Sequence, residues 1–345
     1  MKIVAAMSGG VDSSVAAALL VEQGHEVVGV TMKLLARADT GFGCCGSPAD
    51  VDDAKRVCEA IGIKHYTVDM AEVFSKKVIQ PFKGDYLNGR TPNPCVECNR
   101  SLKFGHLLEL AGAWQCEAVA TGHYARVENG KLLKSVDANK DQTYFLYSLT
   151  SKELARVRFP IGHLEKDKVR AKARELGLRT ADKPESQEIC FVPRKDYVSF
   201  IGADAKKPGV IKDLQGREVG NHEGVAGYTV GQRKGLGSSE APRYVVALEP
   251  ESNTVVVGGA DDVFSSSFEA DGVTWTSAAP ADGAKVQVRI RHRHAPAAAE
   301  LRASGGRWRV DFQEPQRAVT PGQAAVFYVG DEVLGGGIIA RRGGR

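Results

Sequence analysis

The chain has 345 residues and a mass of 37.0 kDa, more than one hydrophobic core usually organises, so we expect two or three domains. Hydrophobic residues make up 43% of the sequence and charged residues 26%, which is close to average globular usage and excludes a disordered or fibrous chain. The net charge of +4 is too small to indicate a nucleic-acid partner, so any such partner must be argued from local charge.

The sequence contains no apolar run long enough to span a membrane. Polar Ser8, Gly9 and Gly10 interrupt the first apolar run, so the pattern of a secretory signal peptide is missing. We therefore expect a cytoplasmic protein with no membrane partner. Its seven cysteines are then expected to be thiols, metal ligands or catalytic groups rather than structural disulfides, because reducing compartments disfavour disulfides.

The N-terminal part alternates between short apolar runs and segments with apolar residues at helical spacing. This alternation predicts an α/β domain built on a doubly wound parallel sheet. Strands are expected at 2–7, 26–32, 63–68 and 117–121. Helices are expected at 13–23, 51–61, 72–87, 102–114, 141–149, 151–157 and 164–176.

After about residue 200 glycine and proline become frequent and short alternating runs replace the helical periodicity. These runs predict a small, mainly β central domain and a C-terminal β-barrel, joined by a linker of three serines at 265–267. Strands are expected at 244–248, 254–257, 286–290, 308–312 and 324–329. The predicted domains cover residues 1–199, 200–264 and 265–345.

A glycine-rich heptad, SGGVDSS at 8–14, stands where the first strand meets the first helix. The backbone N–H groups of such a turn and the N-terminus of the helix can surround an anion, and phosphate suits them best. The heptad has neither the Gly-Lys-Ser/Thr of a Walker loop nor the G-x-G-x-x-G of dinucleotide-binding proteins. The alternative is a plain glycine turn with a helix cap. For Asp12, a role in holding Mg²⁺ stands against simple capping.

Cys95 and Cys98 form a C-x-x-C pair on a proline-rich loop before a predicted helix. From its spacing, the pair fits half a zinc site, a redox pair or part of an iron–sulfur site, and a structural metal is the favoured alternative. A zinc site would need a second pair, and none follows downstream. Cys58 and Cys116 fall on apolar helical positions, where buried thiols are expected. Cys190 stands in another polar, loop-like segment.

The terminal domain has a local excess of positive charge. Between Lys285 and Arg317 the sequence has eight basic and three acidic residues, a net charge of +5. Strand alternation places the apolar residues of 286–290 on one face and arginines at 289, 291 and 293 on the other, which predicts a basic ridge suited to phosphates. The alternative is an ordinary solvated face.

Seven motifs are spread over essentially the whole chain. They are SGGVDSS, RTPNPCVECN, ATGHYARV, DANKDQTYFLYSL, SQEICFV, GQRKGLG and AVTPGQAAVFY. Together they resemble the motifs of the tRNA-specific 2-thiouridylase family. The resemblance implies an N-terminal domain of the adenine nucleotide hydrolase-like fold. In this family ATP adenylates the 2-carbonyl of the wobble uridine with release of pyrophosphate, and a persulfide then delivers sulfur while AMP leaves.

The resemblance also implies roles for individual residues. Cys98 would be the nucleophile, Cys190 would carry the persulfide, and Asp12 would assist at the phosphates. The ATP site would comprise Ala6, Met7, Ser8, Gly9, Gly10, Val11, Asp12, Ser13, Met32 and Gly122. The target base would meet Asn93, Pro94 and Cys95. Contacts with tRNA would be made by His123, Lys140, Asp141, Gln142, Arg291, His292 and Gln323.

Two positions depart from the commonest pattern of the family. Many members carry Asp where this chain has Cys95, and Tyr where it has His292. With Cys98 and Cys190, the extra thiol makes three ligands, the number that holds a [4Fe–4S] cluster with one iron left open. A cluster with an open iron would hold the sulfide, whereas a relay of two thiols would leave a disulfide to be reduced in each cycle. A third cysteine has little use in the relay, which favours the cluster.

The partners expected are ATP with Mg²⁺, a tRNA with a modifiable wobble uridine, and a sulfur donor, either a cysteine desulfurase or a relay protein. Two other functions are weighed. Another adenylate-forming ligase or amidotransferase on the same ATP fold would not need the paired thiols or the basic barrel. A non-catalytic tRNA-binding protein would leave the SGGVDSS loop and the thiols unexplained.

Overall fold

The computed structural model describes residues 1–35, 46–184, 189–193 and 196–340. Its N-terminal domain contains a five-stranded sheet whose paired strands run parallel, in the order β3-β2-β1-β4-β7. The central strand β1 is buried on both faces, as its unbroken apolar sequence predicts. The strands are β1 (Lys2–Ala6), β2 (Glu26–Lys33), β3 (Lys64–Asp69), β4 (Ala118–Ala120) and β7 (Val157–Arg158).

Helices cover both faces of this sheet, so the predicted doubly wound α/β fold is confirmed. The helices of this domain are α1 (Val11–Glu22), α2 (Pro48–Ala60), α3 (Ala71–Phe74), α4 (Gln80–Leu87), α5 (Pro94–Glu97), α6 (Leu107–Ala113), α7 (Ser151–Leu154) and α8 (Lys166–Glu175). Two π-helical stretches, Ser75–Ile79 and Cys98–His106, join α3 to α4 and α5 to α6. One continuous helical segment therefore runs from Ala71 to Leu87, and another runs from Pro94 to Ala113.

The helix predicted at 141–149 is wrong, because the structure has a single 3₁₀ turn there, Thr143–Phe145. Nearly every side chain of the segment is buried, so it has no solvent face of the kind an amphipathic helix keeps. The helix predicted at 151–157 ends already at Leu154, and Val157, the last residue of the predicted range, is the first residue of β7.

A hairpin that the sequence analysis did not predict follows β4. It consists of β5 (Ala125–Glu128) and β6 (Lys131–Lys134), joined by Asn129 and Gly130. Both turn residues have positive φ, 51° and 76°, as a type I′ hairpin turn requires. The Asn-Gly pair was the sequence signal for this hairpin.

The small, mainly β central domain is confirmed. A short helix, α9 (Tyr197–Ile201), leads into it and crosses the predicted boundary at 199. The sheet has the order β10-β11-β8-β9, and its core includes Ile211, Val245 and Val255. Its strands are β8 (Gly209–Lys212), β9 (Glu218–His222), β10 (Tyr244–Glu249) and β11 (Thr254–Gly258).

The C-terminal β-barrel is also confirmed. Six strands close it in the order β12-β15-β14-β13-β16-β17, with β17 pairing back to β12. The hairpin β5-β6 of the first domain extends the same sheet through a pairing of β6 with β17. The barrel strands are β12 (Phe264–Trp275), β13 (Ala284–Arg289), β14 (Ala297–Ser304), β15 (Arg307–Arg317), β16 (Ala324–Val329) and β17 (Glu332–Ile339).

The predicted serine linker is wrong, because residues 265–267 lie inside β12. Ser265 pairs with Gln316, and Ser267 with Asp311, across a bulge in the ladder to β15. Serine-rich composition misled the prediction, since a strand at a bulge tolerates small polar residues. Within the described residues, no helix combines the length and apolar character needed to cross a membrane.

Candidate active site

A cavity of about 1660 Å³ opens where the three domains meet. The first domain supplies two walls of the cavity: the phosphate-loop wall, which contains the SGGVDSS loop, and the thiol wall, which contains Cys95, Cys98 and Cys190. The central domain supplies Thr229 and Val230, and the barrel supplies the end of β13 and the loop after it. Most of the predicted site residues border this cavity. They are Ala6, Met7, Ser8, Asp12, Ser13, Met32, Pro94, Cys95, Cys98, Gly122, His123, Lys140, Asp141, Gln142, Cys190, Arg291, His292 and Gln323.

Four predicted residues, Gly9, Gly10, Val11 and Asn93, are not among those bordering the cavity. Gly9 and Gly10 belong to the turn before α1, and Val11 is a buried first residue of that helix. Asn93 precedes α5 and its side chain hydrogen-bonds to Tyr144. These four residues adjoin residues that line the cavity but do not line it themselves.

Ser13 organises the SGGVDSS loop. Its hydroxyl accepts a hydrogen bond from the Ser8 backbone N–H (3.1 Å), donates to the Gly10 carbonyl (3.0 Å) and lies 3.1 Å from the Ser8 hydroxyl. Among the described residues, no side chain caps the N-terminus of α1. The first N–H groups of this twelve-residue helix are therefore available to an anion, and the helix dipole favours one there.

Gly122 packs directly against the start of α1. A Cβ atom at Gly122 would lie 2.5 Å from the Ser13 backbone nitrogen and 2.6 Å from the Asp12 carbonyl carbon. These distances are too short for any other residue, so glycine is required for β4 to end at the helix N-terminus.

The carboxylate of Asp12 is held by two groups from later in the chain. Lys166 donates to both of its oxygens at 2.7 and 2.8 Å, and the Tyr124 hydroxyl donates to Oδ1 at 2.8 Å. No sequence motif marks Lys166 as a site residue, because it lies 154 positions from Asp12. An ammonium group beside the phosphate loop adds positive charge where ATP phosphates would bind.

Another lysine fixes the loop from its outer side. Lys183 Nζ donates to the Gly9 carbonyl (3.0 Å), to Asp50 (2.8 Å) and to Asp53 (2.6 Å). Partial burial lowers the pKa of Lys183, but the hydrogen bonds to the two carboxylates outweigh it and hold the pKa above its usual value. Lys183 therefore stays charged and ties the loop to α2.

The opposite wall carries the thiols. Pro94 stands at the first position of α5, where its missing N–H costs nothing, and Cys95 and Cys98 follow within one turn. The π-helical stretch begins at Cys98. Its neighbour Asn99 is buried and donates from Nδ2 to the Phe145 carbonyl at 3.0 Å, which anchors the helix to the segment after the hairpin.

Aromatic packing brings Cys190 to the same wall. The next residue, Phe191, lies edge-on to Phe74 and Phe82 at 5.5 and 5.1 Å between ring centroids, and 5.5 Å from Phe200. This cluster fixes the short described segment 189–193 against α3 and α4. Residues 186–188 of the SQEICFV motif lie outside the described residues.

No disulfide joins the cysteines of the described part of the chain. The side chain of Cys95 faces the open cavity, yet desolvation by the surrounding walls, together with the nearby Cys190, raises its pKa to about 11. Cys95 is therefore a neutral thiol near pH 7. Cys58 and Cys116 are buried outside the cavity, as predicted, although Cys116 lies beyond the end of α6.

The described residues include no group of three or more His, Cys, Asp or Glu side chains placed to hold a metal ion. Cys95, Cys98 and Cys190 border one cavity but do not form a three-ligand set in this structure. The predicted iron–sulfur cluster therefore stays a prediction.

His123 lies between the two walls. Burial, and secondarily the charge of Lys103, holds its pKa well below the usual value, so the ring is neutral. Lys103 Nζ lies 3.5 Å from Nε2, and the Thr121 hydroxyl lies 2.6 Å from Nδ1. An ammonium can only donate, so Nε2 is the acceptor and Nδ1 carries the proton toward Thr121. His123 thereby orients the Lys103 ammonium at the cavity wall.

Two of the predicted tRNA contacts have partners within the protein. The Asp141 carboxylate is buried, accepts from the Thr143 hydroxyl at 2.8 and 2.9 Å, and pairs with Arg289 at 2.9 Å. Gln323 Nε2 donates to the Thr91 carbonyl at 2.8 Å and so joins the barrel to the loop before α5.

The predicted basic ridge is smaller than its sequence suggests. The apolar residues of 286–290 are buried in the barrel, as alternation predicts, but Arg289 is also largely buried by its pair with Asp141. Arg302, Arg307 and Arg309 pair with carboxylates on the barrel strands. Arg291 and Arg293 border the cavity and are the members of the ridge best placed to meet phosphates.

His292 lies beside them, with its ring 4.6 Å from that of Phe145. Lys140 and Gln142 border the same part of the cavity, and Gln142 accepts a hydrogen bond from the Tyr124 backbone N–H at 2.9 Å. A polar rim between the hairpin and the barrel is formed by Lys140, Gln142, Arg291, His292 and Arg293. We call this set the barrel rim.

Comparisons with known proteins cover the same three domains. Family models described as tRNA methyl transferase HUP domain, tRNA methyl transferase PRC-barrel domain and aminomethyltransferase beta-barrel domain match residues 1–194, 195–259 and 265–339. The tRNA-specific 2-thiouridylase of Solibacter usitatus is 49% identical over 365 residues, covering 98% of this chain and 98% of that protein.

The tRNA-specific 2-thiouridylase of Carboxydothermus hydrogenoformans is 49% identical and covers 99% of this chain and 98% of its own. That of Geobacter metallireducens is 48% identical and covers 98% and 96%. The chain belongs to the tRNA-specific 2-thiouridylase family. The resemblance inferred from the seven motifs is confirmed.

Lys166, Lys183, Lys103 and Asn99 are among the polar residues around the site that the sequence did not mark. Lys103 and Asn99 follow Cys98 on the same helix, so their spacing was visible in the sequence. Lys166 and Lys183 reach the phosphate loop from far along the chain, and no local pattern marks them.

Proposed function

We propose that this protein is an ATP-dependent tRNA-uridine 2-sulfurtransferase that replaces the 2-oxygen of the wobble uridine with sulfur. One observation carries the proposal: the phosphate loop, three cysteines and the barrel rim all border one cavity. A uridine carbonyl oxygen is a poor leaving group, so activation at the loop and sulfur delivery from the thiols must act on the same carbon. An anticodon loop offers an unstacked base that can enter such a cavity.

The reaction begins with activation of the base. The 2-oxygen of uridine attacks the α-phosphorus of ATP, a phosphorus–oxygen bond forms, and pyrophosphate leaves. The N–H groups at the start of α1 and the ammonium of Lys166 stabilise the phosphate charge. Asp12 would hold Lys166 in position, and Mg²⁺ when bound would neutralise further charge on the phosphates. The roles of Ala6 to Ser13, Met32 and Gly122 in binding ATP belong to this proposal.

Sulfur transfer follows. The terminal sulfur of a persulfide on Cys190 attacks C2, the bond from C2 to the adenylated oxygen breaks, and AMP leaves with both electrons. The Cys98 thiolate then attacks the Cys190 sulfur, which releases 2-thiouridine and forms a Cys98–Cys190 disulfide. A thiol reductant must reopen this disulfide, and a cysteine desulfurase or relay protein must reload the persulfide.

The barrel rim would bind the tRNA backbone, while Asn93, Pro94 and Cys95 would meet the target base. Asp141 and Gln323 act in this proposal through the elements they join rather than by direct contact, since both have protein partners. We further propose a cytoplasmic location and functional units at 1–199, 200–264 and 265–345. The paired thiols at the cavity favour sulfur transfer over methyl transfer.

The test is nucleoside mass spectrometry of tRNA after incubation with the protein, ATP, Mg²⁺ and a persulfide donor. We expect 2-thiouridine, together with AMP and pyrophosphate in equal amounts. Pyrophosphate without any thionucleoside would favour another adenylate-forming enzyme. Binding of tRNA with no ATP consumption would favour a non-catalytic role.

The cluster alternative has its own test. Anaerobic reconstitution with iron and sulfide, followed by metal analysis, should give fewer than about three irons per chain if the relay operates. Stoichiometric cluster binding that Cys95→Ala abolishes, with loss of turnover, would replace the relay with cluster-bound sulfide.

A further inference from the structure

Asn99 has an acceptor atom with no hydrogen-bond partner. The side chain is 3% exposed and borders the cavity, and its Oδ1 makes no hydrogen bond to any described residue. Buried amide oxygens are nearly always hydrogen-bonded, so an unpaired one beside a substrate cavity needs an explanation.

The orientation of this amide is fixed by its other end. Nδ2 lies 3.0 Å from the Phe145 carbonyl, and a carbonyl can only accept a hydrogen bond. Turning the amide over would bring two acceptors together. Oδ1 is therefore the free end of the Asn99 side chain, and the described residues supply no donor for it.

The proposed reaction defines what donor the substrate could bring. Uracil carries an N–H group at N3, directly beside the 2-carbonyl that reacts. Cytosine has the same 2-carbonyl, but its N3 is an acceptor. Activation and sulfur transfer at C2 are thus chemically available to both bases, and selection between them requires a contact with the edge that includes N3.

We propose that Asn99 Oδ1 accepts a hydrogen bond from N3–H of the target base and thereby selects uracil over cytosine. The inference rests on the proposed function. Asn99 directly follows Cys98, so the same helical segment would place the nucleophile near C2 and the acceptor near N3. With cytosine, the N3 lone pair would face Oδ1, and the amide oxygen would remain unpaired.

Neighbouring groups are less suited to this task. Cys95 is a neutral thiol with a pKa near 11, and a thiol sulfur is a weak acceptor. The Nε2 atom of His123 faces the Lys103 ammonium, and the carboxylate of Asp141 is paired with Thr143 and Arg289. A neutral amide also keeps the same acceptor at every physiological pH.

The experiment compares two tRNA transcripts that differ by one base, uridine or cytidine, at the wobble position. Single-turnover formation of 2-thiouridine and 2-thiocytidine is measured for the wild type, Asn99→Leu and Asn99→Asp. Asn99→Leu removes the acceptor while keeping the number and branching of the side-chain heavy atoms, and it should reduce the preference for uridine about 10- to 100-fold. Asn99→Asp, when protonated, keeps one donor for Phe145 and one acceptor, and should restore much of the preference at the acidic end of the working pH range.

Asn139→Leu is the matched control, because Asn139 borders the cavity at its exposed rim. It should leave the ratio of the two rates unchanged. If Asn99→Leu lowers both rates equally, Asn99 only anchors the Phe145 segment and the inference is wrong. A wild type that forms no thionucleoside at all would instead overturn the proposed function.

A substrate-side measurement covers the case in which Asn99→Leu does not fold. A transcript with N3-methyluridine at the wobble position keeps the 2-carbonyl but has no N3–H. The wild type should thiolate it far more slowly than uridine. Equal rates for the two substrates would overturn the inference whatever the variants do.

Discussion

The phosphate-loop wall and the thiol wall of the cavity are held in place by different forces. On the loop wall, Lys166 and Lys183 bind carboxylates and carbonyls at 2.6–3.0 Å, so charge pairs fix the turn. On the thiol wall, Cys190 is positioned by the aromatic contacts of Phe191, and burial raises the pKa of Cys95. The first wall is prepared to bind phosphate charge, and the second keeps at least one sulfur neutral.

This difference predicts that the two half-reactions can be separated. The largest effect is expected for Cys190→Ser, which should abolish 2-thiouridine formation while tRNA-dependent pyrophosphate release continues, because activation precedes sulfur delivery. Cys116→Ala is the control, since this buried thiol lies outside the cavity. Normal thiolation by Cys190→Ser would show that Cys190 does not carry the persulfide.

On the other wall, Asp12→Ala should slow pyrophosphate release by about 100-fold or more, because Lys166 loses the carboxylate that positions it. Ser8→Ala should act in the same direction. Affinity for tRNA, measured by filter binding, should stay near the wild-type value in both variants. A parallel loss of tRNA affinity would mean that the two functions share these residues.

The barrel rim gives an intermediate effect. Replacing Arg291 and Arg293 with Gln should weaken binding to all tRNAs alike and reduce the slope of log affinity against log salt by about two. Adding Arg289→Gln should lower stability instead, because it leaves Asp141 buried and unpaired. A salt titration and a thermal unfolding curve separate these outcomes. An unchanged salt slope would make the rim an ordinary solvated face.

The smallest effect concerns the lysine between the walls. Lys103→Met should raise the pKa of His123, because it removes a positive charge that disfavours the protonated ring. The pKa should still remain below the ordinary histidine value, since burial is the larger cause and is unchanged. NMR titration of the His123 ring signals measures both points. An unchanged pKa would mean that the Lys103 charge does not influence the His123 ring.

The sequence predicted the three-domain architecture, and most of the site residues it marked do border the cavity, because those features have local signals. Alternating apolar runs identified the sheets, and motif spacing identified the loop and the thiols. It did not reveal that Asp141 and Arg289 neutralise each other, since they stand 148 positions apart. For the same reason, counting charges between 285 and 317 overstated the ridge, because Arg289 and Arg307 pair with carboxylates outside that window, at Asp141, Glu269 and Asp271.

Two local errors had local causes. Residues 141–149 have enough apolar residues for a helix, but their burial on all sides suits an irregular segment wedged between domains. Residues 265–267 have the composition of a linker, yet the barrel needs a strand there to close. In both places contacts with residues far away in the sequence, which a local window does not contain, decide the conformation.

The hairpin β5-β6 affects whether the barrel can be separated from the rest of the chain. It adds two strands from the first domain to a sheet otherwise built from residues 264–339, and Lys131 and Glu332 pair across the join at 2.7 Å. A fragment starting at residue 265 would uncover the part of β17 that β6 covers, leaving backbone groups open to pairing with another copy. Barrels exchanged between relatives should therefore be transplanted together with a matching hairpin.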